Sequence, residues 1–139
     1  MEIISGANIR RGDYENLFLL AQKSLDVSRS FLLGLEDGAN SLRSVVAMEG
    51  DKIVGGAIGQ LSYDYSSNNR ICLSAIAVRE EYWGRGIGGD ILKRFESRCR
   101  DMAASGVELD TDIPLWFLAR GYNVYYSHGE HSHMSKSFL

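Results

Sequence analysis

Between the apolar run Ile71 to Val78 and the amphipathic stretch that starts at Ile87 lies a glycine-rich turn, Gly84-Arg85-Gly86-Ile87-Gly88-Gly89. The run before it is too short for a helix and reads as a buried strand. After it, Ile87, Ile91, Phe95, Cys99, Met102 and Ala103 recur at helical steps, while Lys93, Arg94, Glu96, Arg98 and Arg100 fill the other faces. The spacing predicts a helix that starts inside the glycines and stops near Gly106. A strand that feeds a helix through glycines exposes backbone N–H groups at the positive end of the helix dipole. That is an anion site.

Three readings of the turn compete at this level. Gly84, Gly86 and Gly89 satisfy G-x-G-x-x-G, with Glu108 and Asp110 about twenty residues on, as a dinucleotide site requires. Against it, Arg79 to Trp83 separate strand from glycines where that fold turns tightly, and too little chain follows for a second nucleotide-binding half. A P-loop fails because no Gly-Lys-Ser/Thr follows. The plainest reading is a tight turn whose glycines serve packing alone.

Elsewhere the pattern alternates between helix and strand periods. Ile3 to Arg10 can form a first strand. Leu17, Phe18, Leu20, Ala21 and Leu25 fall at helical spacing after Asp13, a capping residue, and Phe31 to Leu35 reads as a second short helix. Ser44 to Met48 and Ile53 to Gly59 flank Glu49-Gly50-Asp51-Lys52, a hairpin signature. Tyr63 to Arg70 is polar and turn-rich, hence a loop. Val107 to Asp112 reads as a strand, Pro114 to Arg120 as a short helix, and Tyr122 to Tyr126 and His133 to Phe138 as closing strands. The order is α+β around a largely antiparallel sheet.

At 139 residues the chain is expected to be a single domain, 1–139, able to bury a core without disulfides. No apolar run approaches the ~18 residues of a membrane helix. The N-terminus lacks the apolar block of a signal peptide, and Cys72 and Cys99 read as reduced thiols, so a cytoplasmic location is expected. The net charge of −3 gives no general pull toward nucleic acid or membrane. Its distribution is uneven. Arg70, Arg79, Arg85, Lys93, Arg94, Arg98 and Arg100 face only Glu80, Glu81, Asp90 and Glu96, a local +3 that leaves −6 elsewhere. A cationic segment in an acidic body suits one anionic ligand bound locally and leaves acidic surface for something positive.

The strand Leu73 to Val78, the charged spacer, the glycine turn and the basic helix together resemble the GNAT superfamily of acetyl-coenzyme A-dependent N-acetyltransferases. The resemblance covers nearly the whole chain. Ile9-Arg10 with Gly12-Asp13 is similar to the family's first strand and helix entry, and Val45 to Ile58 to its second and third strands. Phe117-Leu118-Ala119-Arg120-Gly121-Tyr122 resembles its late helix, and His133 to Lys136 its last strand. The family pattern Arg/Gln-x-x-Gly-x-Gly/Ala is met at Gly86 and Gly88 and departs at Trp83. The implied fold is GNAT-like: one mixed, largely antiparallel sheet of six to seven strands with about four flanking helices.

The implied function is acetyl transfer from acetyl-coenzyme A to the primary amine of a small molecule or peptide, by direct attack and without metal. A homodimer is common in the family. Backbone N–H groups of Arg85, Gly86, Ile87, Gly88 and Gly89, with Gly84 completing the turn, would cradle the pyrophosphate. Ile76, Ala77 and Val78 would pair with the pantetheine arm, and the Val78 N–H would polarise the acetyl carbonyl. Trp83 and Arg85 would add packing or charge at the phosphate, and Lys93 or Arg94 would reach the 3′-phosphate. A solvated helix face is the plainer reading of those basic side chains.

The proton-transfer residues depart from the family. Counting back four from Gly121 places Phe117 where many relatives carry a tyrosine that protonates the leaving thiolate. Substitutes are Tyr122, Tyr125, Tyr126, Ser74 or water. Asp110 and Asp112 are the first candidates for the base, ahead of Asp64 and Glu80, and Asp112 serves equally as a helix cap. Phe117 and Trp83 also fit a different class, a catalytically weak acyl-coenzyme A-binding sensor or partner subunit. His128, His131 and His133 invite a metal reading but lack a fourth ligand nearby, so they read as polar residues of a terminal hairpin. The acidic body leans toward a cationic acceptor, and loops such as Tyr63 to Asn69 and the helices around Phe31 are expected to select it.

Overall fold

The computed structural model describes residues 1–5, 44–61 and 69–138. They form seven strands: β1 (Glu2–Ser5), β2 (Ser44–Glu49), β3 (Lys52–Leu61), β4 (Arg70–Val78), β5 (Gly106–Thr111), β6 (Asn123–His128) and β7 (His131–Ser137). Two helices, α1 (Ile87–Asp101) and α2 (Pro114–Leu118), and a 3-10 turn at Glu80–Tyr82 complete them. The strands make one sheet in the order β1-β2-β3-β4-β5-β7-β6. All neighbours are antiparallel except β4 and β5. The α+β class and the mixed, largely antiparallel sheet are as expected. Two helices rather than about four lie among the described residues, because the patterns at 13–25 and 31–35 fall outside them, as do Asp64 and most of the loop at 63–70.

α1 covers one face of the sheet. Ile87, Ile91, Leu92, Phe95 and Cys99 pack against Val45, Ala47, Val54, Ala57, Ile71, Leu73, Val107, Leu109 and Met134 in one core. Glycines in β3 let the helix sit close. A Cβ on Gly59 would lie 2.6 Å from the Phe95 ring, and one on Gly55 would lie 2.9 Å from Ile91 Cδ1. β4 alternates, with Ile71, Leu73, Ala75 and Ala77 buried and Cys72, Ser74, Ile76 and Val78 only half-buried. The apolar run is therefore one covered face and one face available to a ligand. No described helix is long and apolar enough to cross a membrane.

α1 stops at Asp101, a turn before the expected stop near Gly106. Ala103 takes a left-handed φ of 60°, and the Ala104 N–H donates to the Cys99 carbonyl at 3.0 Å. That closure satisfies an end carbonyl without glycine. Asn69 Nδ2 holds it by donating to the Ala103 carbonyl at 2.9 Å. Gly106 instead starts β5, where its bare Cα lies hard against the Lys136 carbonyl. The closing hairpin is longer than its apolar pattern suggests. Gly129, at φ 61°, turns the chain so that pairing runs out to His128 and His131.

Candidate active site

The parallel ladder between β4 and β5 is short. Arg70, Ile71 and Cys72 pair with Gly106, Val107 and Glu108, and beyond that rung the two strands part. Half of the β4 backbone is thereby left facing an open wedge. The direction of its groups follows from two contacts. The Ala77 carbonyl faces Gly55 of β3, whereas the Val78 carbonyl accepts the Trp83 indole N–H at 2.8 Å. Because direction alternates along a strand, Ile76 and Val78 turn their backbone groups to the wedge. An extended amide-bearing chain could add there as a strand.

The glycine turn closes the far end of this strip. Gly84 and Gly86 have φ of 78° and 77°, a region that glycine enters without steric cost, and Gly86 caps α1. Nothing lies within 4 Å of a Cβ at either position. The Asp90 N–H is the first to close an α1 hydrogen bond, to the Gly86 carbonyl at 3.1 Å. Helix geometry leaves the N–H groups of Ile87, Gly88 and Gly89 without an intrahelical acceptor.

Strip and turn share one cavity of about 460 Å³. Ile76, Ala77, Val78, Trp83, Gly84, Gly86, Ile87, Gly88 and Gly89 line it, as do Tyr82, Ile113, Trp116 and Arg120, which the sequence reading missed. Arg120 lies flat on the Trp116 ring, 3.8 Å from its centroid, and its Nη1 donates to the Trp116 carbonyl at 2.9 Å. A Cβ on Gly89 would be 3.5 Å from that guanidinium, and one on Gly88 would be 3.4 Å from Trp116. A fixed cation thus faces the open end of α1 across the cavity. This suits a ligand with phosphate at one end and an extended amide arm at the other.

Arg85 does not line the cavity. Its guanidinium sits 5.0 Å over the Tyr82 ring, with Lys52 Nζ at 5.5 Å. A hydrogen bond to Glu49, then burial, pushes the Tyr82 phenol up, so it stays neutral.

None of the proton-transfer candidates among the described residues lines the cavity either. Tyr122 is fully buried and donates to Glu96 Oε2 at 2.8 Å. Burial first, then the Glu96 carboxylate, pushes its phenol far above the ordinary value. It is a core residue, not a donor to the wedge. Tyr125 is exposed on the edge strand β6. Asp112 is exposed just past β5 and does not cap α2, whose preceding Ile113 N–H is held instead by Thr111 Oγ1 at 3.0 Å. Asp110 accepts a 2.8 Å hydrogen bond from His133. Phe117 is also out of place for a donor position. It is 3% exposed, packs edge-on against Tyr122, and leaves Trp116 to face the cavity. No group of three His, Cys, Asp or Glu side chains fit to hold a metal ion is found among the described residues.

Comparison with known proteins gives consistent matches. The model of the acetyltransferase (GNAT) family matches residues 8–118. Ard1 from Thermoplasma volcanium superposes with TM-score 0.76 at 21% identity, covering 99% of this chain and 97% of that one. PaiA N-acetyltransferase from Thermoplasma acidophilum, in complex with coenzyme A, gives 0.72 at 15% identity and covers 99% and 98%. The ribosomal-protein-S18-alanine N-acetyltransferase from Escherichia coli gives 0.75 at 15% identity and covers 98% and 92%. No curated protein sequence matches the chain.

Proposed function

Because the chain belongs to the GNAT acetyltransferase family, we propose that it moves the acetyl group of acetyl-coenzyme A to the primary amine of a small molecule or peptide. The observation that carries this reading is the shared cavity. It joins the wedge-facing backbone of Ile76 and Val78 to the open end of α1, with Arg120 opposite. Coenzyme A has the matching order of parts, an amide-bearing arm and a pyrophosphate, and the donor set fits it. The N–H groups of Ile87, Gly88 and Gly89 and the Arg120 guanidinium would hold phosphate oxygens. Ile76 and Val78 would pair with the arm. Trp83 stands 66% exposed beside it.

Bound acetyl-coenzyme A supplies an activated acetyl thioester. The wedge-facing Val78 N–H would bond the acetyl oxygen, where negative charge grows during attack. Among the similar structures, an alanine N-acetyltransferase and a coenzyme A complex support an amine acceptor and this co-substrate. The charge of −6 outside residues 70–100 favours a cationic acceptor, such as a polyamine, an aminoglycoside or a lysine. One observation favours the weak sensor. Among the described residues, the titratable side chains lining the cavity are those of Tyr82 and Arg120, neither placed as an acid or base.

A thiol-release assay across polyamines, aminoglycosides, amino acids and peptides separates the two readings. Enzyme action predicts at least one acceptor with saturating turnover that gains the mass of one acetyl group. Acetyl-coenzyme A binding with no acceptor anywhere would favour the sensor.

A further inference from the structure

On β7, across β5 from the wedge, stands a histidine whose ring leans back onto β5 and which the sequence reading took only as a hairpin residue. His133 Nδ1 lies 2.8 Å from Asp110 Oδ1, and its Nε2 lies 3.9 Å from Glu108 Oε2. An ionised carboxylate only accepts, so the short contact places the ring proton on Nδ1 and leaves a lone pair on Nε2. The longer contact is outside hydrogen-bond range and does not consume that lone pair. Tyr126 stacks on the imidazole at 5.1 Å and 10°, and Tyr125 meets it edge-on at 6.1 Å. The ring is 12% exposed, whereas Asp110 is 70% exposed.

The place of this cluster in the sheet matters as much as its chemistry. Glu108 and Cys72 form the last rung before β4 and β5 part, and Asp110 lies two residues further along the opening. His133 is the residue opposite Asp110 on β7. Alternation puts Glu108, Asp110 and His133 on the face away from α1, whereas Lys136 turns to the α1 face and pairs with Glu96 at 3.1 Å. Among the described residues, the charged and titratable groups around His133 include Asp110 and Glu108 from β5, Arg70 and Cys72 from β4, Tyr125 and Tyr126 from β6, and His131 on the same face of β7. Arg70 lies 3.9 Å from Glu108. The Cys72 thiol, pushed up to about 11 by burial and then by Glu108, adds no charge at neutral pH.

We infer that His133 accepts the proton given up by the acceptor amine, and that Asp110 is its positioning residue. The inference rests on the proposed acetyl transfer. In that step the acceptor nitrogen bonds to the acetyl carbon as the carbon–sulfur bond breaks. The nitrogen's proton passes to His133 Nε2, directly or through one water, and the departing thiolate takes a proton from solvent. The imidazolium so formed has a carboxylate at each nitrogen, and the Asp110 contact keeps the accepting nitrogen aimed. Neither residue reaches the coenzyme cavity, so coenzyme binding and proton acceptance are separable.

The test uses the full chain and its best amine acceptor. His133→Gln should lower kcat by about 10² or more, leave KM for acetyl-coenzyme A unchanged, and remove the acid limb of the kcat/KM profile. Asp110→Asn should lower kcat by about ten-fold and move that limb, with Asp110→Glu restoring part of the rate. The melting-point rise caused by acetyl-coenzyme A should persist in all three. If His133→Gln does not fold, a moved acid limb in Asp110→Asn still supports the proposal. Wild-type kcat and an unmoved limb in the variants that fold would overturn it while leaving acetyl transfer standing. A wild type that binds acetyl-coenzyme A and acetylates no amine overturns both together.

Discussion

The Trp83 indole N–H donates to the Val78 carbonyl at 2.8 Å, so a side chain of the turn fastens the end of the strand that borders the wedge. Trp83 stands where the family pattern has arginine or glutamine. With acetyl-coenzyme A bound as proposed, its ring would stand as a wall beside the arm in place of a charge at the phosphate. Trp83→Phe keeps the ring and removes the bond. One such bond contributes about 1 kcal/mol, so KM for acetyl-coenzyme A should rise about five-fold with kcat nearly unchanged. Steady-state kinetics with acetyl-coenzyme A as the varied substrate check this.

Arg120 presents the cavity's fixed cation, held flat on Trp116. Arg120→Gln should weaken coenzyme A binding by about ten-fold, a charge-assisted contact being worth roughly 1.5–3 kcal/mol before screening. The deficit should shrink as salt is raised. Arg120→Lys should fall between, because it keeps the charge but not the planar stack. Calorimetric titration at two ionic strengths reads both effects.

Tyr122 ties α1 to the last hairpin through Glu96, whose other oxygen takes Lys136 at 3.1 Å. Tyr122→Phe leaves a buried carboxylate oxygen short of a donor and should cost about 1–3 kcal/mol of stability. Turnover per folded molecule should not change, since the hydroxyl is held by Glu96 in the core and Tyr122 does not line the cavity. Chemical denaturation and kcat on the same preparation separate this from a catalytic role, which would reverse the pattern.

Burial, then the Glu108 carboxylate, pushes the Cys72 thiol up to about 11. In the unfolded chain a thiol ionises near 8.5, so rising pH charges the unfolded state first. The contribution is intact below about pH 8.5 and is lost as pH climbs through 11, for roughly 3 kcal/mol in all. Urea midpoints should therefore fall more steeply between pH 8.5 and 11 in the wild type than in Cys72→Ala, under reducing conditions.

The strand-and-turn lining of the cavity was legible because its signal is local. Gly84 to Gly89 and Ile76 to Val78 are close in sequence, and glycine spacing with a change of period marks a strand, a turn and a helix start. Arg120 and Trp116 meet the same turn only through packing. The available sign was their four-residue spacing, which lets the guanidinium fold back over the indole. Tyr122 reads from sequence as one of several substitute donors, and its place in the core depends on the reach of Glu96 and Lys136 from α1 and β7. Asp110 and His133 are 23 residues apart and meet through the β5–β7 register, which no local pattern specifies.

Calorimetric titration of acetyl-coenzyme A into wild-type and Gly88→Leu proteins addresses the cavity itself. A Cβ at position 88 already comes within 3.4 Å of Trp116 and 3.7 Å of Val78, so a leucine must fill the space between turn and strand. The expected result is one site per wild-type chain and at least ten-fold weaker binding in Gly88→Leu, with both proteins folded. Equal binding by the two proteins, no wild-type binding at millimolar ligand, or tighter binding of NADH would contradict the assignment of this cavity to acetyl-coenzyme A.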